Sequence, residues 1–166
     1  TLGIVGAGRI GQAVGRRAPA FGMRVLYTDP EPRPGLEEAT GAGRVDLDHL
    51  LAESDVVSLH VPSAPGTRRL FDAARFALMK PGALFINTAR GDVVDEAALV
   101  AALEEGTPGG AGLDVYDREP LVPLALVAHP RVVCLPHIGS ATLHTRRRMA
   151  ELALENALAV LAGRPP

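Results

Sequence analysis

"GIVGAGRIGQAVGRRA", residues 3–18, sets Gly6, Gly8 and Gly11 in the G-x-G-x-x-G spacing between an apolar run and a helical pattern. That context separates a phosphate-binding fingerprint from the glycines of an ordinary turn. Gly6 lets the strand turn sharply, Gly8 leaves room for a pyrophosphate against the backbone, and Gly11 lets helix and strand approach. Free N–H groups at the helix start then meet the diphosphate. The next apolar run, "RVLYTD" (24–29), ends on Asp29, eighteen residues beyond Gly11. A carboxylate there accepts hydrogen bonds from two ribose hydroxyls and repels a 2′-phosphate, so NAD is expected over NADP. Arg33 lies near enough to reverse part of that preference, and Asp29 before Pro30 also suits a plain turn.

Along the rest of the chain, apolar runs alternate with helical patterns. "LGIVG" (2–6), "RVLYTD" (24–29), "DVVSLHV" (55–61), "ALFINTA" (83–89), "AGLDVY" (111–116) and "RVVCLP" (131–136) read as six strands. Most are apolar throughout, as in strands covered on both faces. Helices are expected at 9–20, 46–53, 72–78, 95–105 and 142–162, with Asp95 as a start and Gly106 as a stop. The Pro-rich "DPEPRPG" (29–35) reads as a surface loop. The final helix carries a broad apolar face, Met149 to Leu161, expected to pack, and Arg146, Arg147 and Arg148 read as its solvated start. The pattern implies a doubly wound parallel α/β sheet in three layers, a Rossmann-type domain spanning 1–166.

With 47% hydrophobic and 22% charged residues and a net charge of −2, nothing suggests nucleic acid as a partner. No apolar run reaches the roughly 20 residues of a membrane helix. A single cysteine, Cys134, excludes an internal disulfide and fits a reducing cytoplasm. No metal site is expected.

Arg90, Glu119 and His137 fall at or just beyond expected strand ends, where open α/β sheets bind ligands. A guanidinium closing a core strand costs free energy unless an anion meets it, and paired N–H groups suit a carboxylate. An imidazole titrates near neutral pH and can give or take a proton. A neighbouring carboxylate favours the imidazolium and fixes the ring. Each residue also has a plainer reading: His137 between Pro136 and Ile138 as a strand cap, Glu119 before Pro120 as an exposed loop position.

"GAGRIGQAVGRR", "INTARGDVVDEAALVAAL", "GAGLDVYDREPL" and "PHIGSAT" occur in that order, and together they resemble the D-isomer-specific 2-hydroxyacid dehydrogenase family. "GRIGQAV" and "PHIGSAT" are most similar to its glyoxylate/hydroxypyruvate reductase branch. The resemblance implies that Arg90 clamps a 2-oxo acid, that His137 is the acid/base and that Glu119 is its partner. It further implies cofactor contacts at Arg9 and Ile10 beside the diphosphate, and at Val61, Pro62 and Thr67 on the adenosine side. Thr88, Ala89 and Asp114 would line the nicotinamide, and Gly139 and Ser140 the rim. His60, before "VP", is expected to be structural.

The family's second lobe is built mostly from sequence ahead of "LGIVG", so the chain is expected to lack it and, alone, to bind dinucleotide with little activity. A homodimer is implied by the resemblance. "REPLVPLALVAHPRV" (118–132) lacks the family's "PDHPL"-like run, which bears on how Glu119 meets His137. Asp29 departs from branch members that favour NADPH. Formate dehydrogenases carry glutamine at the position of Glu119, which argues against that activity. Three alternatives stay open: a phosphite dehydrogenase, similar around "LVAHP" (126–130), another D-2-hydroxyacid dehydrogenase, and a dinucleotide-sensing corepressor-like scaffold.

Overall fold

Side-chain alternation along short apolar runs decides the architecture. In β1 (Leu2–Val5), Leu2 and Ile4 join a buried cluster with Val25, Tyr27 and Leu36. Val5 joins a second cluster with Leu26, Leu50, Val57 and Phe85. Successive residues of a strand point to opposite faces, so the clusters are the two sides of one sheet. The computed structural model describes residues 1–166, divided into a larger unit, Thr1–Pro136, and a smaller one, His137–Pro166.

In the larger unit β1 is followed by β2 (Val25–Thr28), β3 (Gly43–Arg44), β4 (Val56–Leu59), β5 (Leu84–Asn87), β6 (Gly110–Leu113) and β7 (Val132–Cys134). All pair in parallel, in the order β3-β2-β1-β4-β5-β6-β7. Helices α1 (Arg9–Gly15) and α2 (Pro34–Thr40) lie over one side; α3 (Leu47–Glu53), α4 (Ala73–Ala77) and α5 (Glu96–Glu105) contribute Leu50, Phe76 and Leu99 to the other. This is the doubly wound, three-layer α/β fold expected. The chain winds outward from β1 to β3 and then returns to place β4 on the other side of β1. At such a reversal a crevice opens beyond the carboxyl ends of the two strands.

Phe71, Phe76 and Phe85 pack ring to ring, with centroids 5.0 to 5.8 Å apart in tilted and edge-on pairs. All three are fully buried, each contributing about 1.5–3 kcal/mol by burial. Asp95 caps α5 by accepting the N–H groups of Ala97 and Ala98, and Gly106, at φ 86°, ends it.

Two local expectations are corrected here, and one helix is added. The "DPEPRPG" segment is a loop only as far as Arg33; Pro34 opens α2, where its missing N–H is no loss, and the two-residue edge strand β3 follows. The helix expected over 9–20 stops at Gly15 and resumes as a 3-10 turn, Ala18–Phe21, because Pro19 has no N–H to continue the ladder. A further short helix, α6 (Leu124–Val127), precedes β7.

In the smaller unit Thr142 caps α7 (Leu143–Leu161) by accepting the Thr145 N–H. The apolar face expected to pack leaves no residue of this helix buried, and Leu143 and Leu161 are both over 80% exposed. The arginine triplet is solvated as expected; Arg147 meets Glu151 at 2.9 Å and Arg148 meets Glu155 at 3.2 Å.

Candidate active site

The glycine loop sits at the reversal. Gly6 follows β1 with φ 91°, a conformation that L side chains rarely adopt, and its N–H donates to Thr28 at 2.9 Å. A Cβ on Gly11 would fall 2.1 Å from the Gly6 carbonyl oxygen, so the helix can lie this close only without one. Over Gly8 the space is open, with no atom of a non-adjacent residue within 4 Å of the point a Cβ would occupy. The first helical bond of α1 runs from Gln12 to Gly8, which leaves the preceding N–H groups without intrahelical acceptors. A cleft of about 640 Å³ adjoins them, lined by Gly8, Arg9, Ile10, Ala13, Val14, Arg17 and His60. Open backbone donors, two arginines and an exposed Ile10 fit a diphosphate with an apolar flank.

Asp29 stands just beyond β2, with its side chain only 8% exposed. Its Oδ2 accepts the Ala7 N–H at 2.8 Å, and its Oδ1 accepts from the Glu31 N–H at 3.0 Å and Arg33 Nη2 at 2.8 Å. Burial alone would raise its pKa. The Glu31 and Ala7 N–H bonds and the Arg33 guanidinium outweigh burial and hold it below the usual carboxylate value. The acid expected to take the ribose therefore also ties down the glycine loop, a role its place in the sequence did not show. Arg44 donates to the carbonyl oxygens of Asp29 and Pro30, so two guanidiniums flank this end.

Beyond β4, the His60 N–H donates to the Val5 carbonyl at 2.7 Å, bringing the 60–67 segment beside the glycine loop. Val61 abuts Gly6: a Cβ on that glycine would fall 2.7 Å from Val61 Cγ1. Thr67 is turned inward; its hydroxyl donates to Pro62 at 2.6 Å and accepts the Ala64 N–H at 2.9 Å. Its role in this structure is to close the loop carrying Val61 and Pro62. His60, expected to be structural, lines the cleft. Its Nε2 lies 3.0 Å from Ser58 Oγ, and burial lowers its pKa, favouring the neutral ring.

Thr88, Ala89 and Arg90 follow β5. Buried Asn87 shapes this turn: its amide donates to the Arg90 carbonyl at 2.9 Å and accepts the Ala89 N–H at 3.0 Å. Arg90 remains exposed, with Nη1 donating to the Ala89 carbonyl at 2.6 Å. Asp114 follows β6, buried, and its N–H donates to the Asn87 carbonyl at 2.9 Å. Asn87 thus joins the Arg90 turn to the Asp114 strand end. Unlike Thr88 and Arg90, Asn87 has no signal of its own in "INTARG"; the buried amide shows its use only once the turn is seen.

Glu119 lies in an exposed turn, with Oε1 accepting the Tyr116 N–H at 3.0 Å. Tyr116 is buried and its hydroxyl lies 3.0 Å from the Leu135 carbonyl oxygen, anchoring the start of that loop. The larger unit thus gathers Gly6, Gly8, Arg9, Ile10, Gly11, Asp29, Val61, Pro62, Thr88, Ala89, Arg90 and Asp114 at the carboxyl ends of its parallel strands. His137 opens the smaller unit at φ 55°, left-handed backbone that costs a non-glycine residue about 1–2 kcal/mol. Gly139 and Ser140 follow it, and the Ala141 N–H closes the turn on Ile138. A strained backbone at a proposed acid/base residue is the kind of outlier that function maintains.

Residues 1–139 match the model of the D-isomer specific 2-hydroxyacid dehydrogenase family, NAD binding domain. The glyoxylate/hydroxypyruvate reductase B of Escherichia fergusonii is 52% identical over 165 residues, covering 98% of this chain and 51% of that protein. The crystal structure of the TT0316 protein from Thermus thermophilus superposes with a TM-score of 0.91 at 55% identity, covering 99% of this chain and 51% of the other. D-lactate dehydrogenase from Aquifex aeolicus, complexed with NAD and lactic acid, gives 0.91 at 38% identity over 98% of this chain and 53% of its own. The chain spans about half the length of the curated relatives it matches. A glycine loop at the strand-order reversal, an acid closing β2 and an arginine turn closing β5 go with this match over most of the sequence: the chain belongs to the D-isomer specific 2-hydroxyacid dehydrogenase family, in its NAD-binding domain.

Proposed function

We propose that the protein carrying this chain transfers a hydride between NAD(H) and a small 2-oxo or D-2-hydroxy acid, with glyoxylate and hydroxypyruvate as the acids reduced. The observation that carries this reading is Arg90, an exposed guanidinium on the sheet edge that also bears the glycine loop, its turn fixed by Asn87. The names of the relatives support the choice of acids.

Gly6, Gly8 and Gly11 with Arg9 and Ile10 hold the diphosphate. Asp29, Val61, Pro62 and Thr67 serve the adenosine side, Thr88, Ala89 and Asp114 the nicotinamide, and Gly139 and Ser140 the rim. When bound, the nicotinamide supplies the hydride. Arg90 holds the acid's carboxylate and carbonyl oxygen through paired N–H donors and stabilises the charge that develops on that oxygen. His137 carries at a ring nitrogen the proton delivered to the oxygen, and accepts it back in the oxidation. Glu119 favours the imidazolium and orients it.

NAD is taken in preference to NADP, because the ionised Asp29 repels a 2′-phosphate; accepting NADP requires Arg33 to leave Asp29 for the phosphate. Residues 1–166 act as one dinucleotide-binding domain, in a protein that works in the cytoplasm as a homodimer.

The test is NADH consumption by the full protein with glyoxylate and hydroxypyruvate. Arg90→Ala and His137→Ala each lose most turnover while still binding NADH. Wild-type turnover in either variant removes that residue's role. A wild-type protein inert toward every 2-oxo acid overturns the enzyme reading in favour of a dinucleotide-sensing scaffold.

A further inference from the structure

Two residues outside the proposed constellation hold the loop of Glu119 against the turn of Arg90. The first is Gly91, buried directly after Arg90. A Cβ there would fall 1.9 Å from the Tyr116 carbonyl carbon, 2.1 Å from its oxygen and 2.3 Å from the Asp117 nitrogen. These are backbone atoms, which cannot swing aside, so any larger residue forces the two segments apart. The second is Glu96, the first residue of α5, whose Oε1 accepts the Asp117 N–H at 3.0 Å across 21 residues of sequence. Tyr116, between these contacts, gives its N–H to Glu119. Glu96 and Gly91 therefore grip the same peptide, 116–117, from which Glu119 is set.

We propose that Gly91 and Glu96 are positioning residues, a clasp that fixes the distance and orientation of Glu119 relative to Arg90. This rests on the reaction assigned above. Glu96 shares its surroundings with Asp95, Asp117, Arg118 and Arg69, all lining one cavity of about 510 Å³. Burial raises its pKa against the opposing Asp117 N–H bond, so the carboxylate is kept in an environment that disfavours its charge. Removing the carboxylate releases the 116–119 loop without touching Arg90, Glu119 or the glycine loop.

Glu96→Ala in the full protein is expected to lower kcat with glyoxylate roughly 10- to 100-fold, the effect of displacing a group that must meet its partner. The pH profile of kcat shifts with it, while NADH affinity holds. Glu96→Gln, which keeps an acceptor oxygen of the same reach, restores both. Amide hydrogen exchange supplies a reading independent of turnover: the Asp117 N–H is protected in the wild type and in Glu96→Gln, and exposed in Glu96→Ala. Glu96→Ala with wild-type kcat and pH profile overturns the proposal, as does Glu96→Gln behaving like alanine. If the wild type reduces no 2-oxo acid, the reaction reading falls and takes the catalytic purpose of the clasp with it. Rapid exchange of Asp117 in an active wild type overturns the clasp alone.

Discussion

Asp29 accepts the backbone N–H of Ala7 at 2.8 Å, so the acid that closes β2 is bound to the middle of the glycine loop. The proposed function therefore joins ribose recognition and loop geometry in one carboxylate. Asp29→Ala removes three donors' acceptor at once. A hydrogen bond to a charged group contributes about 1.5–3 kcal/mol, so NADH affinity is expected to fall roughly tenfold or more. Asp29→Asn, which keeps an oxygen for Ala7, should lose less. Titration calorimetry with NADH measures both, and equal losses in the two variants would show that the loop bond is unimportant.

Arg90→Lys tests fork geometry rather than charge. Lysine keeps the positive charge but loses the paired, planar donors. The full protein should retain NADH affinity and lose about 100-fold or more in kcat/KM for glyoxylate, the scale of one lost transition-state donor. Steady-state kinetics would refute this if lysine were as good as arginine.

His60 makes stability depend on pH. Burial puts its folded-state pKa below the ordinary 6.5, so the unfolded chain takes up its proton first as pH falls. The contribution is complete above about pH 6.5 and is lost as pH drops towards the folded-state value. Thermal melting between pH 7.5 and 5.5 should show Tm falling with pH, and His60→Asn should flatten that slope. Parallel slopes in the two proteins would contradict the assignment.

Phe85 is the shared neighbour of two other rings, at 5.0 Å from Phe71 and 5.2 Å from Phe76. Truncation to alanine should destabilise the fold by about 3–5 kcal/mol, since the fixed rings cannot collapse into the space. Urea denaturation reads this directly. A loss under about 1 kcal/mol would mean that the cluster relaxes.

Residues 1–166 expressed alone should bind NADH yet reduce glyoxylate poorly. The chain spans about half the length of the relatives it matches, and the family resemblance implies a second lobe that positions substrate and excludes water. Rapid turnover by this chain alone would refute that division of labour.

Much of this was legible in the sequence, for physical reasons. Glycine spacing is local, so Gly6, Gly8 and Gly11 announced the loop, and Asp95 and Gly106 bracket α5 as their chemistry requires. What failed was reading Pro and Gly only as breakers. In "PRPG" Pro34 begins a helix, and the two-residue β3 is too short to show any period. The roles of Asn87, Glu96 and Gly91 were hidden for another reason. Each acts through a backbone group, and Glu96 and Gly91 reach partners distant in sequence, with no pattern along the chain to reveal them.

The position of β1 as the turning strand divides labour across the sheet. On one flank lie β2, β3, Asp29, Arg33 and Arg44, to which the proposed function gives the nucleotide tail; on the other lie β5, β6, Asn87, Arg90 and Asp114, to which it gives the reacting end. Tail preference and chemistry can therefore be altered independently, one flank mutated while the other keeps its geometry. A lineage could exchange phosphate tolerance without relearning its reaction, or adopt a new acid while keeping its old coenzyme.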